Sequence, residues 1–179
     1  LEYDHDAGDI VLLSVAGELN ALWFGASPQA SAATNGVAFA RMVAQANITR
    51  NPRQMYIPAS SGASGAASYD YDTTIVLEQS GSVYGLSLRG DGAIPRRGDL
   101  TSHGTVLTYT ATDDSNAIEV NASDGDTFRG SIISDIMIEC KRADGHTGCG
   151  IYLDGCSYTS DVLRNVSITQ AYIGLKAQD

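Results

Sequence analysis

Apolar and polar positions change rhythm three times along the chain. Over residues 9–24 the apolar residues gather in "DIVLLSV" and, beyond Gly17, in "LNALWF", which predicts two short strands. Over residues 34–46, "TNGVAFARMVAQA", the period becomes helical. Val37, Ala40, Val43 and Ala44 fall on one stripe, and Phe39 and Val43 are four apart. Thr34 or Asn35 is the expected N-cap, because either side-chain oxygen can accept an orphan backbone N–H of the first turn. The stretch between strand and helix, "LWFGASPQAS" (22–31), has neither period and reads as a hinge. After the helix, "RQMYIPASSG" predicts a short strand stopped by Pro58. A loop rich in Gly, Ala, Ser and Tyr follows over 59–72.

From residue 73 onward the helical period is gone. Short strand-like segments, separated by Gly, Asp and Ser, take its place: "TTIVLEQ", "YGLSLRG", "GTVLTYT", "NAIEVNA", "ISDIMIEC", "GIYLDG", "LRNVSIT" and "YIGLKA". They repeat weakly. "SDIMIE" (134–139) aligns with "RNVSIT" (164–169), an offset of 164 − 134 = 30, and sets Ile136 and Ile138 over Val166 and Ile168. "GIYL" (150–153) aligns with "GLKA" (174–177), an offset of 174 − 150 = 24, and with "AIEV" (117–120), an offset of 150 − 117 = 33. Variable offsets in this range suit fixed strands joined by elastic turns.

Such strands are too short to hold themselves together, and no helices lie between them to build βαβ units. Stacking one round of chain on the next solves both difficulties. Ile136 then buries against Val166 about 4.8 Å away while the ladder hydrogen bonds run between rounds. An open end of such a stack templates aggregation unless it is covered. The amphipathic helix is therefore expected to lie over the first round as a lid, with the hinge carrying the chain onto it.

Composition narrows the class. A chain of 179 residues with 43% hydrophobic and 18% charged residues is globular and large enough for one core. No apolar run approaches the length of a membrane span, and residues 1–13 lack the basic start and cleavage site of a secretory signal. A formal net charge of −10 repels phosphate backbones and disfavours nucleic acid; a neutral or cation-screened partner suits it better. Cys140, Cys149 and Cys156 permit at most one disulfide. With His146 they form C-x5-H-x2-C-x6-C, which lacks the paired knuckles of a structural zinc site, so they read as small core residues and no metal is expected there.

The order "LWFGA", polar run, "TNGVAFARMVAQA", "MYIPAS", "GLSLRGDG", "GTVL", "RNVSIT" resembles the opening of pectate-lyase-like proteins, in particular bacteriophage tailspikes and tail-fibre depolymerases. The resemblance covers residues 22 to about 177. It implies an all-β fold, a right-handed parallel β-helix (solenoid) with an N-terminal capping α-helix. Residues 1–21 would be a connecting segment, 22–58 the opening strand, capping helix and first strand, and 59–179 the coils. It also implies a homotrimer in the virion tail, bound to other phage tail or particle proteins, that binds and degrades a host surface polysaccharide. A secreted extracellular bacterial lyase or glycoside hydrolase and a non-catalytic adhesive solenoid are the alternatives. The family's Asp-rich turn is "SPQASAATN" here, without carboxylates, and Ser60 stands where the family carries Gly. The chain stops at Asp179 directly after a coil, so this reading expects an amino-terminal part of a longer protein.

Polysaccharide cleavage needs either two carboxylates or a base with a neutralising cation such as calcium. The outward acidic candidates are Asp135, Glu139, Asp154 and Asp161. Asp135 and Glu139 share a face of one strand, but four residues at about 3.3 Å separate them by roughly 13 Å, beyond the window of hydrolytic pairs. The position stacked on Glu139 is Thr169, which adds no second acid. The polygalacturonase signature is not matched: Asp113-Asp114 and Gly145-His146-Thr147 are present, the other elements are not. Asp113, Asp114, Asp124, Asp126 and Asp144 read as turn formers. His5, His103 and His146 read as surface histidines, and Arg89-Gly90-Asp91 and Arg97-Gly98-Asp99 as ordinary turns. Tyr69, Tyr71, Tyr152, Tyr158 and Tyr172 are the expected exposed aromatics, with Tyr152 pointing out between Ile151 and Leu153. Tyr152, Tyr158 and Tyr172 suit either a sugar ring or a neighbouring subunit.

Overall fold

A computed structural model describes residues 2–3, 10–11, 17–48, 54–60, 68–79, 86–92, 104–122, 131–141, 144–154 and 162–178. Strands dominate, with one α-helix. Near the start, β1 (Glu2–Tyr3) pairs antiparallel with β2 (Ile10–Val11). Then come β3 (Leu19–Asn20), α1 (Ala32–Ile48), β4 (Gln54–Tyr56), β5 (Tyr69–Tyr71) and β6 (Ile75–Gln79). The remainder is β7 (Ser87–Arg89), β8 (Thr105–Tyr109), β9 (Ile118–Ala122), β10 (Ile132–Cys140), β11 (Cys149–Asp154), β12 (Val162–Thr169) and β13 (Ile173–Gln178). All eight segments expected after residue 73 are strands.

Every pairing from β3 onward is parallel, and the strands distribute over three faces. The first holds β3, β4, β7 and the leading ends of β10 and β12; the second holds β5, β8 and the trailing ends of β10 and β12. The third holds β6, β9, β11 and β13 in chain order. Along the chain, strands of the seven-stranded sheet thus alternate with those of the four-stranded one. The registers are those of the repeat: Ile136 pairs with Val166 and Ile138 with Ile168, and Ile151 pairs with both Ile118 and Leu175.

One corner is made by a single residue. Asp135 (φ 58°) and the stacked Asn165 (φ 51°) are left-handed, so β10 and β12 each bend from the first face to the second without a loop. Asp and Asn are among the side chains that tolerate this conformation. The bend resets the inward alternation: Ile133 and Ile136 are both buried, three positions apart. The expectation of one straight strand with Asp135 and Glu139 on a common face is therefore corrected. In the earlier strands 12 residues of sequence separate Tyr56 from Tyr69 and 15 separate Arg89 from Thr105.

The start of the chain also departs from expectation. "LNALWF" is a strand only at Leu19–Asn20; Ala21–Phe24 form a 3-10 helix, capped by Asn20 Oδ1 on the Leu22 N–H at 3.0 Å. Gly25, at φ 94°, closes it in the left-handed region that favours glycine. The α-helix starts at Ala32, earlier than the pattern suggests, and Ser31 Oγ accepts the Thr34 N–H at 3.2 Å. Thr34 and Asn35 are therefore helical and not the cap. The stripe Val37, Ala40 and Ala44 faces outward, with Val37 52% exposed; the buried stripe is Asn35, Ala38, Phe39, Met42, Val43 and Ala46. This face packs on β3, β4, β5 and β6.

Asn35 anchors the hinge. Its Oδ1 accepts the Ser27 N–H at 2.9 Å, and its Nδ2 donates to the carbonyls of Ser27 at 3.0 Å and Asp70 at 2.9 Å. Beneath the helix an aromatic file crosses the rounds. Phe39 meets Tyr71 edge-on at 5.6 Å, Tyr71 meets Tyr109 at 5.0 Å, and Tyr109 meets the edge of His146 at 5.3 Å. Tyr69 and Tyr71, assigned above to an exposed loop, lie on β5 and are buried, and His146 is fully buried rather than a surface residue. The Tyr109 hydroxyl is 2.6 Å from Ser115 Oγ, and His146 Nε2 donates to the Ser115 carbonyl at 2.9 Å. Cys140 and Cys149 are buried free thiols, as core residues should be, and burial pushes Cys140 up to about 12.

Candidate functional site

The third face sorts its side chains by strand alternation alone. Ile75, Ile118, Ile151 and Leu175 form one inward column and Leu77, Val120, Leu153 and Ala177 the next. The positions between them point out. Val76, Glu119, Tyr152 and Lys176 make one outward row, and Glu78, Asn121, Asp154 and Gln178 the other. The result is a largely polar outer surface on which these rows carry one aromatic ring, over aliphatic columns beneath.

Tyr152 is its centre. Lys176 Nζ stands 5.0 Å from the ring centroid, over the π face. The phenol lies 3.2 Å from Asp154 Oδ1 and 3.2 Å from Gln178 Oε1, and its single O–H donates to one of them at a time. Partial burial, and then the Asp154 carboxylate, raise the phenol above its ordinary range. Glu119, stacked on the other side of Tyr152, accepts from Asn116 Nδ2 at 3.3 Å. Asp154 pairs in register with Asn121, two residues beyond Glu119. One strand spacing and two residue rises set the Glu119 and Asp154 Cα atoms roughly 8 Å apart on one face.

Of the residues named from sequence, the structure brings together Asp154 and Tyr152. Asp135 is elsewhere, at the corner, where Asn165 Nδ2 donates to it at 3.0 Å and Arg164 approaches to 3.4 Å. The Asn165 hydrogen bond, more than the Arg164 charge, holds its carboxyl below the usual range. Glu139 lies on the outside of β10, paired in register with Thr169, and accepts from Gln170 Nε2 at 2.7 Å. Tyr172 is 58% exposed just before β13, away from the Tyr152 row. Asp161 and Tyr158 lie outside the described residues. Glu78, Glu119 and Lys176 escaped the sequence reading, although the 33-residue alignment of "AIEV" with "GIYL" already sets Glu119 beside Tyr152.

The other sequence features are structural. Arg89 pairs with Glu18 at 3.0 Å and stacks on Tyr56 at 5.0 Å, while Asp91 accepts from the Tyr56 hydroxyl at 2.7 Å, so this Arg-Gly-Asp is tied into the fold. Burial, then the hydrogen bond to Asp91, push the Tyr56 phenol up to about 12. Asp113 accepts both donors of Ser115, a turn role as expected. Ser60 Oγ donates to the Gly104 carbonyl at 3.3 Å. Among the described residues there is no group of three or more His, Cys, Asp or Glu placed to hold a metal, and no helix long and apolar enough to cross a membrane.

Compared with family models, curated proteins and solved structures, the chain matches none.

Proposed function

We propose that this chain is the right-handed parallel β-helix of a phage tailspike or tail-fibre-like protein, capped by α1, and that it binds host surface polysaccharide along the outside of β6, β9, β11 and β13. The observation that carries the reading is Tyr152, a phenol ring flanked by Lys176, Asp154 and Glu119 on the polar outer side of the sheet. A sugar presents an apolar C–H face and a rim of hydroxyls. The ring offers a matching platform, and the flanking amide, ammonium and carboxylate groups offer both donors and acceptors. Strand spacing sets polar outward residues in rows along the stack, as an extended chain ligand requires.

Glu119 with Asp154 or with Glu78, which stand in the same register relation to it, would be the carboxylates for any hydrolysis at this face. The trimer and its attachment to the virion tail rest on the resemblance of "LWFGA", "MYIPAS" and the capping helix. Titration calorimetry against a panel of bacterial surface polysaccharides tests the reading. Binding by the native protein and at least about tenfold weaker binding by Tyr152→Ala, equivalent to about 1.4 kcal/mol, are expected. Equal affinity of the two proteins overturns it.

A further inference from the structure

The ring of Tyr152 already holds an ammonium group of the protein's own. Lys176 Nζ stands 5.0 Å from its centroid. Carboxylates flank the same ring: Glu119 is its register partner on β9, about one strand spacing of 4.8 Å away, and Asp154 Oδ1 lies 3.2 Å from the phenol oxygen. Glu78 belongs to the row of Asp154, with Asn121 between them. The two outward rows of the third face therefore carry three carboxylates, Glu78, Glu119 and Asp154, against the single ammonium of Lys176. On the first face Arg89 and Arg164 could attract an anion, but Glu18 lies 3.0 Å from Arg89 and Asp135 3.4 Å from Arg164. A formal net charge of −10 adds a long-range field of the same sign as the carboxylates.

We infer that the sugar selected at this face is cationic: a hexosamine with a free amino group, whose ammonium takes the place of Lys176 Nζ over the Tyr152 ring and is held by Glu119 and Asp154. The inference rests on the glycan reading and narrows it from polysaccharide in general to one charge class. The face of a phenol attracts a cation, and carboxylates at its rim add charge-assisted hydrogen bonds to the three N–H donors of a primary ammonium. An N-acetylated hexosamine brings a neutral amide and gains neither contribution. A uronate meets Glu119 and Asp154 with like charge. Lys176 is then the ligand's competitor and not its partner, which sets the sign of one substitution: removing the lysine clears the ring. For an anionic ligand Lys176 would be the partner, and the same removal would weaken binding.

Titration calorimetry at low ionic strength and mildly acidic pH compares three probes of equal length: a glucosamine oligomer, its N-acetylated counterpart and a galacturonate oligomer. The glucosamine oligomer should bind at least about fivefold more tightly than the N-acetylated one, as a cation–π contact and exposed ion pairs of ordinary strength give, and the galacturonate should not bind measurably. Lys176→Met should tighten glucosamine binding by about twofold or more. Glu119→Gln combined with Asp154→Asn should erase the preference for the free amine. Asp70→Asn combined with Glu139→Gln makes the same change in net charge on the outside of the second face and should keep that preference. The inference is overturned if the first pair leaves the preference intact, if the second pair erases it equally, or if Lys176→Met weakens glucosamine binding. Tighter binding of the N-acetylated or galacturonate oligomer, lost in Tyr152→Ala, overturns it and leaves the glycan reading standing. Absence of binding by all three probes also overturns it, and the panel of bacterial polysaccharides then decides the glycan reading separately.

Discussion

Asn35 Nδ2 donates to the backbone carbonyl of Asp70, 2.9 Å away, and so ties the helix to the first strand of the second face across 35 positions of sequence. The same amide closes both backbone groups of Ser27. Helix, hinge and sheet therefore share one fully buried side chain. Asn35→Ala leaves a backbone N–H and two carbonyls without this partner, and a loss of about 2–3 kcal/mol is expected from urea denaturation. Thr34→Ala, on the exposed side of the same turn, should change stability by less than about 0.5 kcal/mol. Equal effects of the two would contradict the clamp.

The aromatic file makes a graded prediction. Tyr109→Phe keeps the ring between Tyr71 and His146 and loses the hydroxyl contacts to Ser115 and Thr74, at about 1 kcal/mol. Tyr109→Ala removes the ring from a fully packed position and should cost about 3–5 kcal/mol. Urea midpoints at constant slope separate the two outcomes.

Gly90 is required by proximity. A Cβ there would run into the Asp135 carbonyl and the Thr105 side chain. Both belong to fixed strands, so the collision has no flexible partner to move aside. Gly90→Ala is expected to destabilise by about 2 kcal/mol or more, measured by thermal melting. A neutral substitution would mean that β7 and β10 are not adjacent.

Asp135 predicts an acid response. Its folded carboxyl is held below the ordinary value, first by Asn165. The folded state thus binds fewer protons than the unfolded chain around the unfolded value of about 3.9. Its contribution is present above that pH and is lost as pH falls through the lower folded value. Asp135→Asn preserves a side chain suited to the left-handed corner and removes the titration. The stability profile of this variant below about pH 5 should be flatter than that of the native protein. Parallel profiles would show that the corner carboxylate has no part in acid stability.

Strands and register were legible because Ile136, Ile138, Ile151 and Ile118 repeat a pattern that only stacked rounds satisfy. What escaped was whatever a side chain can do in two ways. Val37, Ala40 and Ala44 are apolar but small, and exposing them costs little, so the helix turned its Phe39 and Met42 face inward instead. Tyr69 and Tyr71 are common in loops, yet their hydroxyls need only one partner to be buried, and Tyr71 finds it in the Ala117 carbonyl at 3.2 Å. His146 is buried through the Ser115 carbonyl, a backbone partner with no sequence signature. The corner at Asp135 was invisible because a single left-handed residue leaves hydrophobic spacing only one position out of step. At the candidate site Asp154 and Tyr152 could be named individually. Their neighbours Glu119 and Lys176 were legible only through the 33- and 24-residue alignments, which set each of them beside Tyr152.

The corner between the first and second faces has a wider consequence. Between the first and second faces the sequence takes 12 residues from Tyr56 to Tyr69 and 15 from Arg89 to Thr105, but a lone Asp135 or Asn165 within β10 and β12. Segment length at that vertex is therefore uncoupled from the architecture that flanks it. New sequence can be spliced in there, by mutation or by design, while Leu88, Ile133 and their stacked partners keep their places.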